Sequence, residues 1–188
     1  MKKECNFRYV QKEPSTDGSF DICHIYVFFI RFIDSRTQKR CRLKYVARAE
    51  KIDDVFAIKF YASRDRKSQY NKYSLAHGQL DASSVYKIFN ICLNIMKIIM
   101  DQYPQISFIF KASEAYDPHT RREEDEYENQ RFRIYRSFLS KKIGTHTFTH
   151  YHFPDNSIYL LVRRSETEND DIKKDRLMHT VMKRFGLA

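Results

Sequence analysis

Glycine and proline are scarce in this chain, four of each among 188 residues. So few chain-breakers leave room for long helices and strands joined by polar loops. Cysteine is equally sparse: Cys5, Cys23, Cys41 and Cys92 form no C-x-x-C pair and no short metal-binding spacing. A chain long enough to bury a good core does not need disulfides, so the thiols are expected to be reduced. The opening residues, MKKECNFRYV, have no apolar core region, and no secretory leader is expected. The longest apolar helix candidate, Val85 to Met100, is broken by Lys87, Asn90, Asn94 and Lys97 and is not expected to cross a membrane. These absences point to a cytoplasmic protein. The lack of tryptophan decides nothing.

Signature motifs are missing too. The chain has no P-loop and no dinucleotide fingerprint. It has no G-x-S-x-G nucleophile elbow, and no cysteine lies in a recognisable nucleophile context. Helix-turn-helix, zinc-finger and RNP patterns do not occur. The classes of enzyme and DNA-binding module that those motifs mark are therefore disfavoured.

What is present is a folded, basic, aromatic-rich chain. Apolar residues make up 42% and aromatics 15%, too many for a disordered segment. The net charge is +10, which favours anionic partners such as nucleic acid, phosphorylated cofactors or acidic protein surfaces. Between Arg31 and Lys72 lie 13 basic and 5 acidic residues, so this segment carries most of the excess. A solvated face in a basic protein is the blander reading of that segment.

Cys5, Cys23 and Cys41 recur every 18 residues, each opening a run of branched and aromatic residues: CNFRYV, CHIYVFFIRFI and CRLKYVA. The turn-rich stretches EPSTDGS and DSRTQKR separate them, so an antiparallel meander is expected. A fourth strand is read at Val55 to Ala62. After a polar loop, Asp81 or Ser83 can cap a helix whose polar positions Ser83, Lys87, Asn90, Asn94, Lys97 and Asp101 form one narrow stripe. Such a helix must be covered on most sides, as against a sheet. The unbroken run ISFIFKAS reads as a central strand buried on both faces, often in parallel pairing. A charged segment, EAYDPHTRREEDEYENQ, then leads to the helix NQRFRIYRSFLSKKIG. The strands THTFTHYHF and SIYLLVRR follow, joined by PDN, and the chain ends in a basic amphipathic helix. The predicted order is β-β-β-β-α-β-α-β-β-α, an α+β fold with residues 1–165 in one domain and the helix of 166–188 appended to it.

Candidate chemistry is thin. A helix N-terminus following a strand can hold phosphate on its unpaired N–H groups, and Arg64, Arg66, Lys67 and Lys72 would add charge there. A close backbone grip on phosphate needs glycines, and that loop has only Gly78. Glu114, at the end of the buried strand, could act as a general base if a cleft opens beside it, and an exposed loop carboxylate is the plainer reading. Strand alternation puts His146, Phe148, His150 and His152 on one face, and two histidines so spaced can share a metal. A third ligand is not fixed by the sequence, and no metal site is expected. In NQRFRIYRSFLSKKIG, Phe132, Tyr135, Phe138 and Leu139 lie along one stripe for burial, with arginine stems at its edges.

The order of elements and the helix RFRIYRSFLSKKIG together resemble the GNAT fold of N-acetyltransferases, from about Cys23 to Arg163. That fold has an antiparallel strand group, a strand, a pyrophosphate-binding helix, a strand, a second helix and a terminal strand pair. The resemblance implies acetyl-CoA as acyl donor and Tyr135 as the general acid that protonates the departing thiolate. It also implies that Arg64, Arg66, Lys67 and Gly78 lie near the cofactor phosphates, with LAHGQL meeting the family's Q/R-x-x-G-x-G/A signature at Gly78. VYKIFNICLNI, ISFIFKAS and RFRIYR look closer still to bacterial and phage proteins with a degenerate acetyltransferase-like fold. Two functions are therefore expected in competition: an acyl-CoA-dependent N-acyltransferase, or a non-catalytic protein whose basic surface meets nucleic acid or a protein partner.

Overall fold

Runs rich in branched and aromatic residues, alternating in polarity, can bury one side only by pairing edge to edge. In the computed structural model, which describes residues 7–34, 37–73, 80, 82–117 and 121–185, they do so in seven strands of one sheet. The strands are β1 (Phe7–Pro14), β2 (Ile22–Ile33), β3 (Arg40–Ile52), β4 (Val55–Ala62) and β5 (Ser107–Lys111), followed by β8 (Phe148–Phe153) and β9 (Ile158–Arg163). Between β5 and β8 a two-stranded ribbon, β6 (Tyr116–Asp117) and β7 (Arg122–Glu123), stands apart from the sheet. The helices are α1 (Ala82–Gln102), α2 (Gln130–Lys142) and α3 (Asp170–Phe185).

The sheet order is β1-β2-β3-β4-β5-β9-β8. Every pairing is antiparallel except β4 with β5. That parallel pair needs a long crossover, which α1 supplies. The meander and the central parallel strand therefore agree with the sequence reading. Its boundaries differ in several places: β1 runs past Val10 to Pro14, and β5 and β8 are shorter than the runs ISFIFKAS and THTFTHYHF. β3 runs on past Ala47 to Ile52 because Arg48 to Ile52 pair with Lys59 to Val55. α1 begins at Ala82, so Ser83 lies inside the helix, and Asp81 is outside the described residues. The ribbon was not foreseen: its strands are two residues long, below what any periodicity can reveal.

The two faces of the sheet are covered separately. On one, α1 and α2 bury Ile95, Ile99, Phe132 and Leu139 against Tyr26, Phe28, Phe56, Phe108 and Tyr159. On the other, α3 sets Leu177 and Val181 onto Val55, Ile109, Ile158 and Leu160, so the terminal helix docks on the same sheet. Ile109, between Phe108 and Phe110, faces the α3 side while they face α1, which is the two-sided burial expected of a central strand. The exposed stripe on α1 is the predicted one, Ser83, Lys87, Asn90, Asn94, Lys97 and Asp101, widened by Tyr86. By length and composition alone Ser83–Gln102 could cross a membrane, but its apolar side is engaged with the sheet. α3 opens with Asp170 and Asp171 and closes with Lys183 and Arg184, matching the helix dipole at both ends.

Candidate active site between the parting strands

β4 and β5 pair only from Val55 to Ala57 against Ser107 to Ile109. Beyond that point β4 follows β3 as far as Ala62, opposite Tyr45, whereas β5 follows β9 as far as Lys111, opposite Ile158. The facing edges of the two strands then share no ladder, and a cleft opens between their C-terminal ends. Ligands collect at such positions in open sheets, where parallel strands part and a crossover helix begins.

The cleft has two adjoining chambers of about 260 and 280 Å³ that share Phe60, Tyr73, Arg131 and Tyr135. The first lies between Ile58–Phe60 of β4 and Lys111, Ser113 and Glu114 at the end of β5. The second reaches the opening turns of α1 at Val85, Ile88 and Phe89. Loops from both strands meet beside this region, where the rings of Tyr70 and Tyr116 stand 4.8 Å apart.

Tyr135 is held by aromatic packing on both sides, edge-on to Phe89 of α1 at 5.1 Å and tilted to Phe110 of β5 at 5.7 Å. Burial pushes its phenol well above the ordinary value, with the charge of Arg131 opposing in part, so the hydroxyl stays protonated at neutral pH. That hydroxyl makes no hydrogen bond among the described residues, and its residue lines both chambers. Glu114 lines the first chamber and likewise makes no ion pair among the described residues. Thus the two residues singled out as acid and base, 21 positions apart on different elements, share one cleft.

The basic residues are arranged less simply. Arg64, Arg66 and Lys67 form a single 3₁₀ turn, Ser63–Lys67, directly after β4. That turn lies at the C-terminal end of β4, yet none of the three lines either chamber, and Arg64 lies 3.9 Å from Asp65. Gly78 is outside the described residues. The cations at the cleft are instead Arg131, whose guanidinium donates to the Tyr73 carbonyl, together with Lys72, Lys59 and Lys111. Lys72 is set over the Tyr61 ring at 4.6 Å, and desolvation lowers its pKa. Arg131 was visible in the sequence only as an edge residue of α2. Its role depends on a contact with a residue 58 positions away, which no local pattern encodes.

One positioning residue was missed. Asn129 is buried and caps α2, its Oδ1 accepting from the Phe132 N–H at 2.9 Å. Its Nδ2 donates to the Ala112 carbonyl at 2.8 Å, and its own N–H donates to Ser157 Oγ at 3.1 Å. Helix α2, and with it Tyr135, is thereby fixed to the ends of β5 and β9. An asparagine directly before an amphipathic run is a recognisable cap signal.

The other candidates fall elsewhere. His150 and His152 do share a face, on β8, but both turn to Tyr159: His150 Nδ1 lies 2.6 Å from its hydroxyl, and the His152 ring 4.6 Å from its ring. Among the described residues no group of His, Cys, Asp and Glu is arranged to hold a metal. Cys23, Cys41 and Cys92 are free thiols. Burial pushes Cys23 and Cys92 up to about 12, which makes both poor nucleophiles. Comparison of the chain with protein-family models, with curated proteins and with solved structures finds no match.

Proposed function

We propose that the protein is an acyl-CoA-dependent N-acyltransferase with a GNAT-like fold, working in the cleft where β4 and β5 part. The observation that carries this reading is the convergence of Glu114 and Tyr135, neither hydrogen-bonded nor ion-paired to another side chain among the described residues, on one chamber at the open end of a parallel strand pair. The succession of an antiparallel group, a crossover helix, a central strand, a second helix and a terminal hairpin supports it.

The cleft suits an extended, amide-containing acyl donor. The unpaired edges of Ile58–Phe60 and of the end of β5 offer N–H and C=O groups to a chain lying between them, as a sheet edge accepts an added strand. Arg131, Lys72 and the start of α1 supply positive charge at the second chamber for the donor's phosphates. The donor supplies an activated thioester carbonyl. Glu114 takes a proton from the incoming amine, directly or through one water, as the new C–N bond forms. The Tyr135 hydroxyl donates to the sulfur as the C–S bond breaks, offsetting the negative charge that develops there. General acid–base groups so placed contribute about 10²- to 10⁴-fold each.

A thermal-shift titration with acetyl-CoA and with free CoA tests the reading. A ligand present at about 100 times its dissociation constant stabilises the fold by about 2.7 kcal/mol. No shift with either ligand at millimolar concentration removes the proposal.

A further inference from the structure

Cross-strand neighbours of like charge oppose pairing, and sheets generally avoid them. At the distal end of the β2–β3 hairpin, Arg31 lies directly opposite Arg42. On the same side of the two strands, Ile33 opposes Arg40 and Phe29 opposes Lys44. All six residues are exposed. Among the described residues none of the four cations has a carboxylate partner. Asp34 is the one acidic residue between Phe29 and Lys44; it is buried, and its carboxylate accepts from the Thr37 N–H. Elsewhere in the sheet Arg48 and Lys59 are paired with Glu50, and Lys111 with Glu126. The hairpin end is therefore a concentrated cationic surface that the fold itself does not neutralise.

The surface is concave. Lys87, Asn90 and Asn94 from the exposed stripe of α1 share a cavity of about 470 Å³ with Phe29, Arg31 and Arg42. The Arg42 guanidinium lies 3.6 Å above the Phe29 ring, which leaves a flat stacked platform at the groove wall.

We infer that this groove binds single-stranded nucleic acid, independently of the acyl-transfer cleft. Guanidinium forks grip phosphates with two parallel hydrogen bonds and also stack on planar groups. An unstacked base can lie on the outer face of Arg42 or replace it on Phe29, while Asn90 and Asn94 offer amide donors and acceptors to base edges. Stacking platforms beside a basic groove are the means by which proteins hold unpaired strands. A duplex buries its bases and cannot use the platform. A flat anionic bilayer meets convex surfaces and could not reach amides set in a groove.

Fluorescence anisotropy with a labelled 20-nucleotide oligo-U and oligo-dT tests the inference across a salt series. Binding should weaken steeply with salt, with a log–log slope of about −0.7 for each phosphate contacted on a single strand. Arg31→Glu creates an opposite-charge pair with Arg42, so it should fold at least as well as the parent while binding at least tenfold more weakly. Lys183→Glu, which changes an exposed lysine on α3 by the same charge, should bind as the parent does. The inference is overturned by no binding at low salt, by equal weakening in both variants, by tighter binding to a 20-base-pair duplex, or by a preference for phosphatidylserine vesicles.

Discussion

The side-chain amide of Asn129 donates to the carbonyl of Ala112 at 2.8 Å across the interior. With the same side chain capping α2 through Phe132, this single residue joins the end of β5 to the start of the helix that carries Tyr135. Asn129→Ala would leave both a buried carbonyl and a buried helix N–H without their partner. A lost cap costs about 1 kcal/mol, and a buried polar group left unsatisfied about 1–3 kcal/mol. A loss of about 2–4 kcal/mol is expected, seen as a lower urea midpoint with an unchanged slope. Asn129→Ser keeps a capping oxygen but loses the reach to Ala112, and should fall between the two. Equal stability of all three proteins would show that the link contributes nothing.

The sheet and the site were legible to very different degrees for a physical reason that the particular residues show. The run of branched and aromatic residues in β2 and the polar stripe of α1 are local patterns, sustained over about a dozen residues or more, and both appear where the sequence put them. Tyr135 could be identified as a buried helix residue from Phe132, Phe138 and Leu139 around it. That Glu114 would face the same cleft depends on where β4 and β5 stop pairing. Nothing in VFAIKFYA marks Ala57 as the last paired residue; β3 and β9 pull the two strands apart from their outer edges. Arg64, Arg66 and Lys67 follow β4 in sequence, but they lie in a 3₁₀ turn and line neither chamber.

Tyr135 allows chemistry and packing to be separated. Tyr135→Phe removes only the hydroxyl, which has no hydrogen-bond partner among the described residues, and keeps the ring between Phe89 and Phe110. Stability should change by less than about 1 kcal/mol, within the usual range for a substitution that breaks no contact. In the proposed acyl transfer, kcat with acetyl-CoA should fall about 10²-fold or more, the scale of a lost general acid. Tyr135→Ala should instead cost about 3–5 kcal/mol by opening a cavity between those rings. A Tyr135→Phe protein with full kcat would leave Tyr135 only a packing role.

Three histidines, His24 buried, His150 half-buried and His152 more exposed, set a pH dependence. His24 sits among the rings of Tyr9, Phe56 and Tyr103, and its pKa is lowered first by burial and then by Lys12. His150 is lowered by burial and by His152, and His152 by burial and by Arg136. The unfolded chain therefore takes up protons at these three sites near pH 6.5 while the folded chain does not. Stability should be complete above about pH 6.5 and fall as the pH drops below it, by at most about 1.4 kcal/mol per pH unit for buried His24 and by less for His150 and the solvent-screened His152. Melting temperatures between pH 8 and 5 check the direction, and His24→Phe should flatten the acid limb. A flat profile from pH 7.5 to 5.5 would contradict the burial argument.

On the face of the sheet away from α1, Glu50 is a buried carboxylate held by Arg48 at 2.7 Å and Lys59 at 2.6 Å. Arg48 also reaches Glu13 on β1 at 2.9 Å, so the network ties β1, β3 and β4 together. Two buried or half-buried cations lose their shared partner in Glu50→Ala, and breaking such a pair from one side costs about 3–5 kcal/mol when burial is complete. Lys59 can turn to solvent and Arg48 keeps Glu13, so the lower part of that range or somewhat less, about 2–3 kcal/mol, is expected. Glu13→Gln, which removes only the more exposed partner, should cost under about 1 kcal/mol. Urea titrations of the two variants at low and high salt check the ordering. The Glu50 effect should persist in salt, because buried charges are poorly screened, whereas the Glu13 effect should shrink. Reversal of that ordering would show that the network is held from its exposed end.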